Sequence, residues 1–525
     1  MEGGRSARPA QISWAQWGAW GAFAAFAVLW AARWATFPLV LDPYYHLLIA
    51  RQVAAAGGPI AYEWWQDAPS GRLHLYPPLL HVLLASGLKL GCSGLTVLRL
   101  ASITLVLGLI WRLARFMQRM LDDRAAVLAL CLVWVPFSFL LHAAVTLAAT
   151  LGLIELLWYL EALQKGRVLA AGGLFGLLWY THLGLPWVAL AATCAYGWVR
   201  LDLRWRFAQA IGLGIVLAAP WWWHLPTHAL WLHPIPRLEN EQLDFSLPLL
   251  VLAAAGVVMG WKDGRASRLL VCCWAAFALY GTTYWYRWWN GEGMMPLLLL
   301  ATRGLWGIGQ WWQAHVRRPS APVIQMICVL GCLVWPTLVL EPHQAAAGVP
   351  VREWNWRWAD TGMFHLVGWP GTTPKPLDVS LATPEMERLA SLVARASRPG
   401  EILWSNADYA GGLVAALADR PMASAMFSEV AASVIADPVA AAHWIVWFKL
   451  PEAGSEHRLR ALVQRYGLAL AADTDLALVF RHPGGGRLAE RPRAVIPLWV
   501  SGMLLCVVLS GIIWDFHRPN LCGVE

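Results

Sequence analysis

The string LDPYYH at positions 41–46 places a carboxylate, two phenol rings and an imidazole directly after the first long apolar run. A carboxylate at the end of an apolar segment costs desolvation energy, so its presence there favours a chemical task. An apolar neighbourhood raises the pKa of a carboxyl group, which suits Asp42 to act as a general base with His46 as proton carrier. The alternative interpretation is an Asp42 that caps a helix, followed by the interfacial aromatic residues Tyr44 and Tyr45.

A second candidate, Arg287, stands among tyrosine and tryptophan residues in the string YWYRWW at 284–289. A guanidinium binds phosphate through a planar fork of donors, and aromatic rings beside it suit a lipid chain. We therefore expect Arg287 to bind the phosphate of a lipid carrier. The alternative is an interfacial arginine that makes cation–π contacts only.

Further polar residues lie in the segments between apolar runs and at the ends of those runs. The topology predicted below places these positions on the outer side of a membrane. The candidates for substrate or acceptor binding are Tyr44, Tyr45, Glu63, Arg72, His74, His142, His182, Glu239 and Asp408. Mg²⁺ and Mn²⁺ prefer oxygen ligands, so Asp42, Glu239 and Glu241 form a candidate metal-binding set. The two glutamates point to one side only if their loop is extended.

The composition predicts an α-helical polytopic membrane protein. Of the 525 residues, 58% are hydrophobic and 14% charged, whereas soluble domains are about 45–50% apolar and 25% charged. The 36 tryptophans fit the same prediction, because indole prefers the headgroup level of a bilayer. The net charge of +8 comes mostly from loop arginines, which indicate topology, so no nucleic-acid partner is expected.

About twelve membrane spans are predicted. The apolar runs cover approximately 14–34, 96–116, 125–143, 145–163, 168–183, 184–200, 207–225, 246–261, 268–285, 294–312, 322–341 and 494–514. Segment 76–91 is marginally short for a span. If it lies along the outer surface and the N-terminus is cytoplasmic, the basic loops between runs fall inside, as the positive-inside rule requires. These loops are 112–119, 164–167, 199–206, 262–268 and 315–318.

The predicted organisation has four parts. Residues 1–341 form a transmembrane domain with a long outer loop at 35–95, and residues 342–377 form an interfacial linker. Residues 378–482 alternate an amphipathic helix at 384–398 with further helices and short buried strands, which indicates a small α/β extracytoplasmic domain. The strands are expected at 401–404, 443–448, 468–472 and 476–480. A terminal transmembrane helix follows at 494–514.

Several strings, in order along most of the chain, resemble the GT-C class of membrane glycosyltransferases, and most closely the catalytic subunit of oligosaccharyltransferase. The matching strings are the Asp-Pro-Tyr-Tyr motif at 42–45, the Trp-rich stretch at 63–65, Gly-Arg to Tyr-Pro-Pro at 71–78, the arginine and apolar run at 287–296, and Trp404 to Gly411. The family's second acidic motif would fall at 141–150, where this chain has His142 and no carboxylate. Its third acidic element corresponds to Glu239 or Glu241.

The resemblance implies an enzyme that transfers a sugar or oligosaccharide from a polyprenyl-phosphate-linked donor to a protein or glycan acceptor at the outer face. Asp42 would be the base or a metal ligand, and Arg287 would hold the donor phosphate. Alternatives are a true oligosaccharyltransferase acting on protein Asn, which needs a divalent cation, a transporter or flippase for a lipid substrate, and a non-catalytic relative. Since the outer segment 378–482 has no cysteine, a bacterial or archaeal plasma membrane is expected.

Overall fold

The computed structural model describes most of the chain. The described residues are 14–38, 41–227, 243–263, 265–282, 285–316, 320–342, 354–359, 381–426, 435–450, 455–488 and five isolated positions between 493 and 513. The candidates Glu239 and Glu241, most of the linker 342–377 and most of the terminal run 494–514 lie outside these residues, so the expectations about them stay predictions.

Helices dominate the first two thirds of the chain. Their bounds are α1 Trp14–Ala31, α2 Asp42–Ala56, α3 Leu79–Lys89, α4 Gly94–Met120, α5 Asp123–Leu132, α6 Phe137–Val145, α7 Leu147–Gln164, α8 Val168–Thr181, α9 Leu185–Val199, α10 Arg204–Thr227, α11 Leu247–Asp263, α12 Arg265–Ala276, α13 Trp285–Trp289, α14 Met294–His315 and α15 Ala321–Val334. Most follow the predicted apolar runs, and their apolar side chains form one large core.

Two of the described helices, α4 and α7, are long and apolar enough by length and composition to cross a membrane. Several further helices of 10–17 residues are apolar as well. The prediction of about twelve spans is not settled by these helices and stays a prediction.

Prolines divide two of the predicted apolar runs. The run 125–143 is split into α5 and α6, and α6 begins immediately after Pro136. The run 322–341 is helical only to Val334, and Trp335 adopts an extended conformation with φ −71° and ψ 129°. Pro336 explains this, because a proline disfavours the helical conformation of the preceding residue. Neither of these runs therefore forms one continuous helix.

Three small sheets accompany the helices. Strands β1 Tyr62–Glu63 and β2 Arg72–Leu73 form an antiparallel pair within the first loop. Strands β3 Leu243–Phe245, β4 Thr337–Pro342 and β5 Trp354–Ala359 form an antiparallel sheet in that order. The third sheet lies near the C-terminus and has four strands.

The C-terminal segment alternates helices and strands. Its elements are α16 Pro384–Ala396, β6 Leu403–Ser405, α17 Asp408–Ala418, α18 Pro438–Ala441, β7 Trp444–Phe448, α19 Ser455–Tyr466, β8 Ala469–Asp473 and β9 Ala477–Arg481. The strand order is β6-β7-β9-β8, with β6 parallel to β7 and the other pairs antiparallel. The expectation that 468–472 is a buried strand is wrong, because β8 lies at the sheet edge and is mostly exposed. The assignment of segment 378–482 to a separate extracytoplasmic domain stays a prediction.

The first loop is attached to the C-terminal segment by its backbone. The Met422 N–H donates to the carbonyl of Trp65 at 3.0 Å, and the Ala68 N–H donates to the carbonyl of Met422 at 2.9 Å. The Met426 N–H donates to the Gln66 side-chain oxygen at 2.9 Å. These bonds hold the loop that follows α2 in a defined place, which positions the candidate site described next.

Candidate functional site

Asp42 is the first residue of α2, and its side chain points towards His46 one turn later. Pro43 occupies the first turn, where its fixed φ suits a helix start. Leu41 is the capping residue, and no side-chain cap bond is formed at this helix start, so Asp42 does not cap the helix. Its Oδ2 lies 3.3 Å from Nε2 of His46, with the Asp42 side chain 32% exposed and His46 fully buried. The second nitrogen of His46, Nδ1, lies 2.9 Å from Nε2 of His81.

Glu63 is buried, and its carboxylate bonds to several side chains of the first loop. Its Oε1 accepts from the Tyr45 hydroxyl at 3.0 Å and lies 2.7 Å from His74 Nδ1. Its Oε2 accepts from Arg72 Nε at 2.8 Å and from Gln66 Nε2 at 3.1 Å. Burial alone would raise the pKa of Glu63, but the adjacent Arg72 and His74 outweigh it and lower the pKa to about 2. The carboxylate is therefore ionised and satisfied.

This arrangement gives several predicted candidates a supporting role. Glu63, Arg72 and His74 are at most 3% exposed, and Arg72 and His74 both bond to Glu63. Tyr44 is also fully buried, where burial raises the pKa of its hydroxyl and the charges acting on it are those of Arg99 and Glu387. Contact of these residues with a substrate stays a prediction.

Arg287 lies on the short helix α13 and forms a buried charge cluster. Its Nη1 lies 3.1 Å from Oε1 of Glu292, and its Nε donates to the Tyr286 hydroxyl at 3.2 Å. The other carboxylate oxygen of Glu292 lies 3.1 Å from Nε2 of His142. Gly291 permits this close approach, because a Cβ there would lie 2.9 Å from the Arg287 Cα and 3.2 Å from His142 Nε2.

Glu292 is the carboxylate of this cluster, and the sequence did not single it out for a role. Burial would raise the pKa of its carboxyl, but Arg287 and His142 hold it well below the usual range, so Glu292 is ionised. Its position five residues after Arg287, and two residues before the apolar helix α14, was the available signal. The predicted candidates Arg287 and His142 are thus joined by a carboxylate between them.

His182 completes the cluster and presents a hydrogen-bond donor to it. It directly follows α8, and its Nδ1 accepts from the backbone N–H groups of Gly184 at 3.0 Å and Leu185 at 3.2 Å. Burial, followed by the charge of Arg287, lowers the pKa of His182 to about 3, so the ring is neutral. Since Nδ1 accepts, the single ring proton lies on Nε2.

The Nε2–H group of His182 therefore points towards an N–H group of Arg287, so two hydrogen-bond donors face each other. The Arg287 Nη1 atom lies 3.3 Å from it. Two N–H groups do not bond to each other, and a negatively charged oxygen placed between them would accept from both. This pair of donors at the end of α8 is a candidate anion-binding site.

Asp42 is close to this anion-binding site. Its charge is among those that act on the pKa of His182, opposing the lowering caused by burial and Arg287. The structure therefore brings together the base candidate of the first loop and the phosphate candidate of α13. Asp408 lies elsewhere, at the start of α17, where its charge acts on Asp67 of the first loop.

The donor groups of the described residues bear on the predicted metal site only in part. Among the residues that the structure describes, no group of three histidine, cysteine, aspartate or glutamate side chains is arranged to hold a metal ion. Both oxygens of Glu292 already face nitrogen atoms, those of Arg287 and His142. The predicted set of Asp42, Glu239 and Glu241 stays a prediction, because Glu239 and Glu241 lie outside the described residues, and no chemical step is assigned to a metal.

Comparison of the structure with solved structures identifies the fold. ArnT from Cupriavidus metallidurans in the apo state matches with a TM-score of 0.58 and 14% identity over 90% of this chain and 99% of ArnT. ArnT bound to undecaprenyl phosphate matches with a TM-score of 0.55, also at 14% identity, over 90% of this chain and 98% of ArnT.

A second group of similar structures is that of an oligosaccharyltransferase from Archaeoglobus fulgidus. Its complex with Zn and sulfate matches with a TM-score of 0.51 and 11% identity over 88% of this chain and 73% of that protein. The same enzyme, AglB, with an inhibitory peptide and a dolichol-phosphate matches with a TM-score of 0.50 over 90% of this chain and 75% of AglB. No protein-family model and no curated protein matches the sequence significantly.

The chain shares the fold of ArnT and AglB. The resemblance expected from the sequence is confirmed at this level, and it includes the oligosaccharyltransferase. Identities of 11–14% establish the fold alone, so the activity has to be argued from the site.

Proposed function

We propose that this protein is a membrane glycosyltransferase that transfers a sugar or oligosaccharide from a polyprenyl-phosphate-linked donor to an acceptor at the extracytoplasmic face. The observation that carries the proposal is the facing pair of donors on Arg287 and His182, with the Asp42 carboxylate close by. The likeness to ArnT with undecaprenyl phosphate and to AglB with a dolichol-phosphate supports a lipid-phosphate ligand. The site lies on an integral membrane protein of a bacterial or archaeal plasma membrane.

The charged groups of the site suit the bonds that form and break in such a transfer. The acceptor oxygen or nitrogen forms a bond to the anomeric carbon, and the bond from that carbon to the carrier's phosphate oxygen breaks. Negative charge grows on the departing phosphate, where Arg287 and the Nε2–H of His182 stabilise it. The acceptor's proton passes to Asp42, which is one third exposed and reachable.

The direct test is binding of a polyprenyl-phosphate sugar to the purified full-length protein, together with turnover. Wild type is compared with Arg287→Ala and with the control Arg388→Ala, an arginine on α16 that is 74% exposed. The proposal requires binding by wild type and by the control, and weaker binding by Arg287→Ala. If wild type binds no lipid phosphate, the central claim is wrong and a lipid transporter or a non-catalytic relative takes its place.

The alternative of an oligosaccharyltransferase acting on protein Asn is kept because of the fold shared with AglB. That reaction is expected to need Mg²⁺ or Mn²⁺, with Asp42, Glu239 and Glu241 as the candidate ligands. Turnover is therefore measured with an Asn-containing acceptor peptide and with a glycan acceptor, before and after EDTA. Transfer to the peptide that EDTA abolishes and Mn²⁺ restores would favour this alternative, and EDTA-insensitive transfer would oppose it.

A further inference from the structure

His46, the proton-carrier candidate next to Asp42, lies between two partners inside the protein. Its Nε2 is 3.3 Å from Oδ2 of Asp42, and its Nδ1 is 2.9 Å from Nε2 of His81. Both imidazoles are fully buried. His81 belongs to α3, and nothing in the sequence pattern singled it out.

The two possible tautomers of this pair differ strongly in cost. In one, His81 Nε2–H donates to His46 Nδ1, and the proton of His46 on Nε2 faces the Asp42 carboxylate. In the other, His46 Nδ1–H donates to His81, so a bare Nε2 faces the carboxylate and the remaining His81 proton sits on Nδ1. Nδ1 of His81 is buried and has no hydrogen-bond partner among the described residues. Nε2 of His46 also lacks a hydrogen bond of good geometry among the described residues, but a carboxylate oxygen of Asp42 lies 3.3 Å from it. A buried N–H beside a carboxylate costs less than a buried N–H without any acceptor, so the first tautomer is favoured.

The surroundings of His81 keep it neutral and in place. The His74 and Tyr76 rings lie 5.1 and 5.8 Å from its ring, centroid to centroid. Burial, followed by the charges of His46 and His74, lowers the pKa of His81 well below its ordinary value. His81 therefore carries one proton, and that proton is used in the bond to His46.

We propose that His81 is a positioning residue that holds His46 in the tautomer whose Nε2–H faces Asp42. This inference rests on the proposed glycosyltransferase function, since the role given to His81 acts through Asp42, the base of that reaction. With a donor at its side, the Asp42 carboxylate is held in one orientation. Without His81, His46 can adopt the opposite tautomer, and a lone pair then repels the carboxylate.

Substitutions at position 81 separate this role from packing. Glutamine places an amide N–H near the position of the imidazole Nε2, whereas leucine fills similar space without any donor. We expect His81→Leu to lower kcat on the order of 10–100-fold with unchanged binding of the lipid-phosphate donor. We expect His81→Gln to retain kcat within about threefold, since a neutral donor replaces a neutral donor. An equal loss in both variants, or no loss in either, would overturn the proposal.

A double-variant cycle tests whether His81 acts through His46. In a His46→Phe background, changing His81 to leucine is expected to add no further loss of kcat, because the group that it orients is gone. Independent, additive losses would overturn the proposal. Thermal unfolding of each variant with bound donor shows whether a loss of activity is a loss of folded protein.

A spectroscopic readout keeps this inference distinct from the proposed function. In protein labelled with ¹⁵N-histidine, the His46 signals, assigned by their loss in His46→Phe, are expected to show a protonated Nε2 and a bare Nδ1. This pattern should persist in His81→Gln and be lost in His81→Leu. A wild-type protein with this pattern but no glycosyl transfer would contradict the proposed function and leave the tautomer assignment standing. A protonated Nδ1 in wild type would refute the assignment itself.

Discussion

Nη1 of Arg287 and Nε2 of His182 lie 3.3 Å apart, although the two residues are separated by 105 positions in the sequence. The His182 ring is held by the backbone N–H groups that begin α9, so its remaining proton points at the guanidinium. Two donors facing each other are unfavourable unless an anion joins them. This relationship, more than either residue alone, is why a phosphate is the proposed ligand.

The first prediction separates the two functions of His182. In His182→Asn, the side-chain oxygen can still accept from the α9 backbone N–H groups, but the donor at the Nε2 position is lost. In His182→Ala, both are lost. We expect both variants to bind a polyprenyl phosphate about 10–100-fold more weakly, as for a lost hydrogen bond to a charged group worth ~1.5–3 kcal/mol.

The two His182 variants should differ in stability. His182→Asn is expected to unfold near the wild-type temperature, and His182→Ala is expected to be destabilised by ~1 kcal/mol through the lost cap. The measurements are equilibrium lipid binding and thermal unfolding in the same detergent. Wild-type affinity in His182→Asn would contradict the anion-site interpretation.

The second prediction concerns the Arg287–Glu292 pair. Arg287→Ala leaves the buried Glu292 carboxylate without its main partner, so we expect a loss of stability of about 3–5 kcal/mol. In the double variant Arg287→Ala/Glu292→Gln the buried charge is also removed, and much of that stability should return. Phosphate binding should remain lost in both. A double variant that is stable and binds the lipid phosphate normally would show that Arg287 is not the phosphate ligand.

The third prediction tests Asp42 as base. Asp42→Asn keeps the size of the side chain but cannot accept the acceptor's proton, so kcat should fall about 10²–10⁴-fold while donor binding is retained. Asp202→Asn provides a matched control, because Asp202 is 61% exposed and paired with Arg200, at a predicted cytoplasmic loop. Turnover is measured with saturating donor in reconstituted membranes. Wild-type kcat in Asp42→Asn would remove Asp42 from the mechanism.

The fourth prediction is a pH dependence set by Glu63. Its pKa is about 2 in the folded protein and ~4.3 in an unfolded chain, so the folded state is stabilised while the carboxyl is ionised. This stabilisation is complete above about pH 5 and is lost as the pH falls towards 2. It amounts to ~3 kcal/mol on the scale of 1.36 kcal/mol per pKa unit.

Glu63→Gln isolates this contribution. At neutral pH the variant should be less stable than wild type, because Arg72 stays buried without its carboxylate partner. The difference in unfolding temperature should shrink between about pH 5 and pH 2, because the unfolded wild-type chain binds a proton at Glu63 that the folded protein does not bind. A difference that stays constant over this range would show that Glu63 is not ionised in the folded protein. The variant Glu456→Gln, at an 88% exposed position, serves as control.

The local structure followed the sequence closely where the physical rule is local. Apolar runs became helices, and a helix was expected and found at the start of the C-terminal segment, α16. The errors also have local causes: Pro136 and Pro336 divide runs that hydropathy alone had joined. The strand β8 was expected to be buried because it is apolar, but burial depends on strand order, which places it at a sheet edge.

The sequence by itself determined the resemblance in fold, and it singled out two chemical groups whose roles stay predictions. Composition indicated a helical membrane protein, and the motif order indicated a GT-C fold, with Asp42 and Arg287 as base and phosphate ligand. These inferences depend on residue type and on neighbours within a few positions. Such information is carried by the chain regardless of how its helices pack.

Only the tertiary structure decided which groups meet and in which protonation state. Glu292 gains its partners from α6 and α13, and His81 acts on α2 from the neighbouring helix α3. The ring proton of His182 is placed by the backbone at the start of α9. Hydrogen-bond direction and burial depend on distances of about 3 Å between distant parts of the chain, and those distances are fixed by packing.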